Sequence, residues 1–296
     1  MKTYLTVLIS VMMASPLYSQ GKPAFQLFTG NGDEVKYGKM IQELEKADFI
    51  FFGELHNNAI AHWLELEITR DLFEKSGSNL VLGAEMFEAD NQILIQEYWD
   101  GFVNEKKFEE DCRLWKNYPT DYKPLFQFAR ENKLPFIATN IPRRYASLVA
   151  SRGLEALDSL SVEAKAWIAP LPIEFDPQVP CYKNMLKMMG GTGAPGGTMG
   201  AHGGSKLQKA QAIKDATMAW FIHQNYQPGK QFIHYNGSYH SDHHEGIIWY
   251  LKKYYPDAKV MVITTVSQDE IDTLAEEERG KADFIVAVPA NMTNTY

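Results

Sequence analysis

Short runs rich in Ile, Val and Phe, each followed by a polar break and a helical pattern, constrain this chain more than any other feature. "DFIFFG" (48–53) leads into "AIAHWLELEITRDLFEK" (59–75), where apolar residues recur at spacings of three and four. "NLVLGAEMF" (79–87) precedes a helical pattern around 91–99. "LPFIATN" (134–140) precedes Pro142, a residue suited to a first helical turn. "QFIHYNG" (231–237) precedes "HHEGIIWYLKKYY" (243–255), and "AKVMVITTV" (258–266) and "DFIVAVP" (283–289) add further strands. Strands that alternate with helices build a mainly parallel sheet, and strands with few polar interruptions suit a sheet covered on both faces. The expected fold is α/β: a mainly parallel sheet flanked by helices, with a smaller helical subdomain. The sheet core should fall at about 45–87, 132–142 and 230–290. The helical subdomain should fall at about 88–130 and 145–225, where no convincing strand is found.

The 296 residues are 45% hydrophobic and 22% charged, enough for one large domain or one domain with a sizeable insertion. A net charge of −8 and the lack of a long basic run exclude a general attraction to nucleic acid or anionic lipid. Residues 1–20 read as a secretory signal peptide, with Lys2 ahead of an apolar stretch from Leu5 to Ala14. That stretch is too short for a membrane-spanning helix, and no cysteine lies near to carry a lipid. The mature chain, 21–296, is thus expected to be soluble, exported and periplasmic. Cys112 and Cys181 allow either one disulfide or two separate buried thiols, and neither sits in a zinc spacing.

One segment differs from its surroundings. "YKNMLKMMGGTGAPGGTMGAHGGSK" (182–206) sets Met185, Met188, Met189 and Met199 in a glycine-rich tract. Glycine at this density disfavours helix, and the tract is expected to form a loop.

In open α/β sheets ligands bind beyond the carboxyl ends of the strands, and four strand ends here carry unusual polar residues. The first gives Glu54 and His56, the second Glu85. The third gives Asn140 and Arg143, and the fourth gives His240 followed by Asp242, His243 and His244. Each has a bland reading. Glu54 could be a helix N-terminal charge, and Arg143 could serve only as an ion-pair partner. A carboxylate after a buried run such as Glu85 is costly unless paired, which favours a site. His62, His223 and His234 read as core or surface residues. Adjacent His243 and His244 cannot face the same way on a helix, so His240 is the preferred ligand of its cluster. Together these groups would suit a divalent metal or acid/base chemistry.

The blocks "GELHNNAIAHW", "GAEMFEADNQ", "TNIPRR", "QAIKDATMAW" and "NGSYH" occur in this order. In this order they resemble the ChaN-like haem-binding uptake family of the Tiki superfamily, over about residues 45–290. The resemblance implies export and a role in haem or iron acquisition, with haem or iron as ligand. It admits an outer-membrane uptake receptor and a second copy of the chain as partners. It carries over Glu54, His56, Glu85, Arg143 and His240, and adds Asp215 from the fourth block. Tyr, His and Met are the candidate axial ligands for haem, which singles out Tyr182, Met185 and His202. The rival reading is a metal-dependent hydrolase, of metalloprotease or esterase type. There His56, Glu85, His240 and Asp215 would bind a divalent ion, Glu54 would act as general base, and Arg143 would stabilise negative charge.

Overall fold

Alternate side chains of the apolar runs go to opposite faces of one seven-stranded sheet. The computed structural model of the protein describes residues 21–191 and 201–296, the side chains at 186–191 and 201–203 apart. The chain runs β1 (Gln26–Thr29), α1 (Tyr37–Leu44), β2 (Phe49–Glu54), α2 (Ala59–Ser76), β3 (Leu80–Glu88) and α3 (Gln92–Trp99). It continues through α4 (Glu105–Asp111), α5 (Lys123–Glu131), β4 (Phe136–Asn140), α6 (Arg143–Arg152), α7 (Val162–Lys165) and α8 (Pro180–Gly191). It closes with α9 (Ala201–Asn225), β5 (Gln231–Gly237), α10 (Ile247–Tyr254), β6 (Val260–Gln268) and β7 (Phe284–Pro289). Strand order is β1-β7-β6-β2-β5-β3-β4. All neighbours pair in parallel except β1, which pairs antiparallel to β7. The expected α/β fold is what the chain adopts.

The strand β2 shows why both faces are covered. Ile50 and Phe52 pack with α1 and α2, while Phe49 and Phe51 pack with α9 and α10 on the other side. Burying a side chain of this size stabilises by about 1.5–3 kcal/mol, so a one-residue slip of register would misplace four such groups. The helices of 88–130 lie on the first face and most of those of 145–225 on the second.

Cys112 belongs to the first layer and Cys181 to the second, so the sheet separates them and both are free thiols. Burial pushes each thiol up to about 12, which leaves them unreactive in the folded chain.

Two features depart from expectation. The four-residue β1 has too short a pattern to be read from sequence. The glycine-rich tract expected to be a loop is helical as far as Gly191 and again from Ala201. Residues 192–200, Met199 among them, and residues 1–20, expected to be a signal peptide, lie outside the described residues. Among the described residues no helix is long and apolar enough to cross a membrane.

Candidate functional site

β2 and β5 end side by side, with Glu54 paired to Gly237. Two turns of the same pattern follow, Gly53–His56 and Gly237–His240. Each turn's glycine makes room for the other turn. A Cβ on Gly53 would lie 2.8 Å from Ser238 Cα, and one on Gly237 would lie 2.6 Å from the His56 ring. Next to them β3 loses register with β4 between Ala84 and Glu88. Such irregularities re-aim a side chain, and here the one re-aimed is Glu85. Its carbonyl, freed from the ladder, accepts from Asn140 Nδ2 at 3.0 Å.

His56 is fixed from three directions. Its Nδ1 lies 2.6 Å from Glu54 Oε1, an oxygen that also accepts from the Tyr122 hydroxyl at 2.7 Å. Asn117 Nδ2 donates to the His56 carbonyl at 2.8 Å, and the Trp115 ring meets the imidazole edge-on, 4.8 Å between centroids. Burial works against charge on Glu54, but the hydrogen bond from His56 and the neighbouring His62 imidazole outweigh it and hold the carboxyl down to about 2. Burial likewise works against charge on His56, and the bond to Glu54 with the charges of Glu85 and Glu54 outweighs it and raises the imidazole. With Nδ1 on Glu54, Nε2 lies beside Gly237 without a hydrogen-bond partner among the described residues, and the half-exposed side chain lines the cavity.

His240 has the opposite environment. It is buried, with Nε2 3.2 Å from Glu85 Oε1 and Nδ1 2.5 Å from Asp215 Oδ1. Asp215 Oδ2 accepts from the Tyr182 hydroxyl at 2.8 Å, and Glu85 Oε2 accepts from the Gly237 amide at 2.8 Å. The Gln211 amide lies 3.0 Å from the same ring. Burial opposes charge on His240, yet the Glu85 and Asp215 carboxylates raise it to about 9. Burial also opposes charge on Glu85, but His240 keeps that carboxyl well below its usual range. Asp215 is raised, chiefly by burial.

These groups form the floor of a cavity of about 980 Å³, at the upper end of small-molecule sites. Its walls are apolar, with Leu114, Trp115, Ile141, Ala146, Leu207 and Ala210. Lys116, Arg143 and Lys214 bring positive charge to its lining. Arg143 is not free: Glu88 accepts from its Nε, and Glu88 also accepts from Arg113 Nε at 2.8 Å.

The structure gathers Glu54, His56, Glu85, Arg143 and His240 around one cavity. Asp215 stands behind His240 and Tyr182 behind Asp215, both buried and neither lining the cavity. Tyr182 is packed in the second core layer and donates to Asp215, so it does not face the cleft expected of a haem ligand. Met185 is half-buried on α8 and does not line the cavity. His202 falls on α9, but its side chain lies outside the described residues, as do those of Met188 and Met189.

Of the four residues expected to share a metal, His240 has a carboxylate at each nitrogen, Glu85 Oε1 at 3.2 Å and Asp215 Oδ1 at 2.5 Å. Asp242, His243 and His244 turn away from the cavity. Asp242 takes the Thr264 hydroxyl, His243 lies against the Gly280 carbonyl, and His244 pairs with Asp283. His234 is buried between Thr139 and Asn236, and burial lowers it to about 4. His223 lies against the Tyr255 hydroxyl.

Sequence reasoning missed Asn117, Asp121 and Tyr122, which reach the site from a π-helical turn at Tyr118–Tyr122 and the residue before it. It also set aside His62, which is buried against Glu54, Glu65 and Asp121. One signal was available. His62, Glu65 and Thr69 recur at spacings of three and four beside the apolar stripe Ala61, Leu64, Ile68 and Leu72, which places polar groups on a buried helix face.

Residues 40–251 match the sequence profile of a family described as haem-binding uptake, Tiki superfamily, ChaN. Among solved structures, a Campylobacter jejuni ChaN described as binding haem cofacially superposes with a TM-score of 0.65 at 17% identity, over 88% of this chain and 96% of that one. The erythromycin esterase EreC, in an open conformation, gives 0.51 at 10% identity over 91% and 98%. A Bacillus cereus protein gives 0.50 at 12% identity over 90% and 95%. At these identities the likenesses show the fold. No curated protein sequence matches the chain.

Proposed function

The chain belongs to the haem-binding uptake family of the Tiki superfamily, and from that premise we propose that it binds haem in the cavity beyond the sheet edge. One observation carries this reading. His56 lines an apolar-walled cavity, its Nε2 without a hydrogen-bond partner among the described residues, while its Nδ1 is held by the Glu54 carboxylate. A ligating histidine characteristically gives its other ring nitrogen to a carboxylate, which fixes the ring and raises its basicity. The donor set therefore fits haem iron. In this reading His56 would hold the iron, apolar lining residues such as Trp115, Ile141 and Leu207 would shelter the macrocycle, and Lys116 and Lys214 would offer positive charge to its carboxylates. Bound haem supplies the iron centre; the protein binds, orients and shields it.

Tyr182, Met185 and His202 have weaker support as ligands, and Tyr182 acts in this reading by positioning Asp215. The physiological role is haem or iron uptake by an exported, periplasmic protein that hands its cargo to or from an outer-membrane receptor. The apolar stretch at 5–14 supports the export step.

Titration of the mature protein with haemin, followed by absorbance, tests the reading. The expected result is a saturable Soret shift with fixed stoichiometry, and a linear, unsaturable response would refute it. Measuring molecular mass before and after haemin addition tests the homodimer. Recovery of the mature protein from a periplasmic fraction, shortened at its N-terminus, is expected if the export step is right.

A second reading has one observation in its favour. Glu85, His240 and Asp215 form a buried acid–imidazole–acid array, with Glu85 and His240 lining the cavity and Asp215 behind them, a constellation that haem binding does not need. A hydrolase would use it with His56 and Glu54 around a bound substrate. Ester or peptide turnover dependent on added divalent metal, and lost in His240→Gln, would favour this reading.

A further inference from the structure

Next to the cavity lies a second polar centre, which shares Glu54 with the site above but whose other two members, His62 and Glu65, have no part in either reading. Glu54 closes β2, and His62 and Glu65 lie three residues apart on the facing side of α2, a spacing that puts two side chains on one helix face. All three are buried. Among the described residues this is the set of three ligating groups whose donor atoms lie within 4.8 Å of one another.

The distances distinguish what holds the centre together. Charge-assisted hydrogen bonds from a cationic nitrogen to a carboxylate run at about 2.7–2.9 Å, and His56 meets Glu54 at 2.6 Å. His62 Nδ1 instead stands 3.3 Å from Glu54 Oε2 and 3.3 Å from Glu65 Oε2. Both are too long for a strong bond, yet they match each other. Metal bonds of about 2.0–2.1 Å at tetrahedral angles put neighbouring ligand atoms about 3.3–3.4 Å apart.

The carboxylates supply a second, independent observation. Both donors to Glu54, His56 and Tyr122, go to Oε1. Glu54 Oε2 and Glu65 Oε1 are buried without any hydrogen-bond partner. A bare anionic oxygen in the interior is costly; a protonated His62 offsets part of that charge from 3.3 Å, and a cation held by both carboxylates would also satisfy the two oxygens that it leaves without a bond. The far side of His62 is prepared as well. Its Nε2 lies 3.2 Å from the His56 carbonyl and 3.4 Å from Asp121 Oδ2, the outer-sphere contacts that orient a ligating imidazole. Asp121 is itself held by Asn117 and Thr295 at 2.6 Å each. Two carboxylates and a divalent cation also sum to zero charge, the condition under which such groups can stay buried.

We propose that Glu54, His62 and Glu65 bind a structural divalent metal ion of the zinc class between β2 and α2, distinct from any ligand of the cavity. Glu54 then joins two centres, with Oε1 orienting His56 and Oε2 on the metal. The competing explanation is a protonated His62 paired with both carboxylates, with a proton shared between the two carboxyl groups.

The test is metal analysis of the full-length chain as purified, then after unfolding with a chelator and refolding with or without Zn²⁺. The expected result is about one equivalent per chain as purified and again on refolding with Zn²⁺. That metal should be retained in His56→Ala and His240→Ala and lost in Glu65→Gln. Losing an outer-sphere partner costs about 10–100-fold in affinity, so losing a ligand should cost no less. A chain that is metal-free as purified and takes up none on refolding overturns the proposal and leaves the shared proton. Metal that follows His56 or His240 rather than Glu65 overturns it too. Should Glu65→Gln fail to fold, the Co²⁺-refolded wild-type chain decides. Visible bands of a tetrahedral ion that survive His240→Ala support the site, and their absence overturns it.

Discussion

The turns Gly53–His56 and Gly237–His240 share one sequence pattern and meet at one crevice, yet they leave their histidines in different states. His56 lines the cavity with one nitrogen on Glu54 and the other without a partner among the described residues. His240 lines the same cavity but has both nitrogens on carboxylates. The difference comes from what stands behind each turn. Asp215, on α9, reaches the inner nitrogen of His240, while the β3 irregularity delivers Glu85 to the outer one. No second carboxylate meets the outer nitrogen of His56, which lies against the space left by Gly237. A repeated motif can thus supply one residue that binds and another that holds the floor, and the supporting helix decides which.

If His240 is the structural member of the pair, breaking its support should cost more than any other change here. Asp215→Ala leaves a buried imidazolium and the Tyr182 hydroxyl without their partner, and should destabilise the fold by about 3–5 kcal/mol in urea unfolding. The pH dependence of stability sharpens the same point. His240 is raised from an ordinary value near 6.5 to about 9. Its contribution is therefore complete below about 6.5 and is lost as pH rises through 9, a fall of order 3 kcal/mol. Unfolding free energies measured across that window should decline in the wild type and decline less steeply in His240→Gln, where the raised His56 and His62 still contribute.

Gly237→Ala attacks the crossing of the two turns. A Cβ 2.6 Å from the His56 ring must displace it, and overpacking of this kind costs about 1–3 kcal/mol. The variant should fold less stably and bind haemin more weakly, read by unfolding and by titration. The smallest effect is expected at the rim. Arg143 is 61% exposed and Glu88 keeps Arg113 when Arg143 is removed, so Arg143→Ala should change stability by less than about 1 kcal/mol.

Much of this was legible beforehand because the signals are local. Six of the seven strands show as apolar runs, and the rule that ligands gather beyond strand carboxyl ends found Glu54, His56, Glu85 and His240 together. What was not legible depends on packing across the chain. Nothing near Tyr182 shows that its hydroxyl will be sealed against Asp215, 33 residues away in sequence. The π-helical turn that delivers Asp121 and Tyr122 has no periodic pattern to read. His62 was set aside as a lone histidine because its partner Glu54 comes from a different element. The glycine-rich tract misled for a further reason: intrinsic propensity is a weak prior, and the helices on either side extend into it at Gly190–Gly191 and Gly203–Gly204.

The central claim is that His56, and not His240, faces the ligand. Haemin titration of wild type, His56→Ala and His240→Gln side by side tests it most directly, with the absorbance of each bound form recorded at saturation. The expected result is that His56→Ala loses the ligand signature and most of its affinity, while His240→Gln folds less stably but binds haemin with an unchanged spectrum. An unchanged spectrum and affinity in His56→Ala, or a ligand signature that disappears with His240, would contradict it.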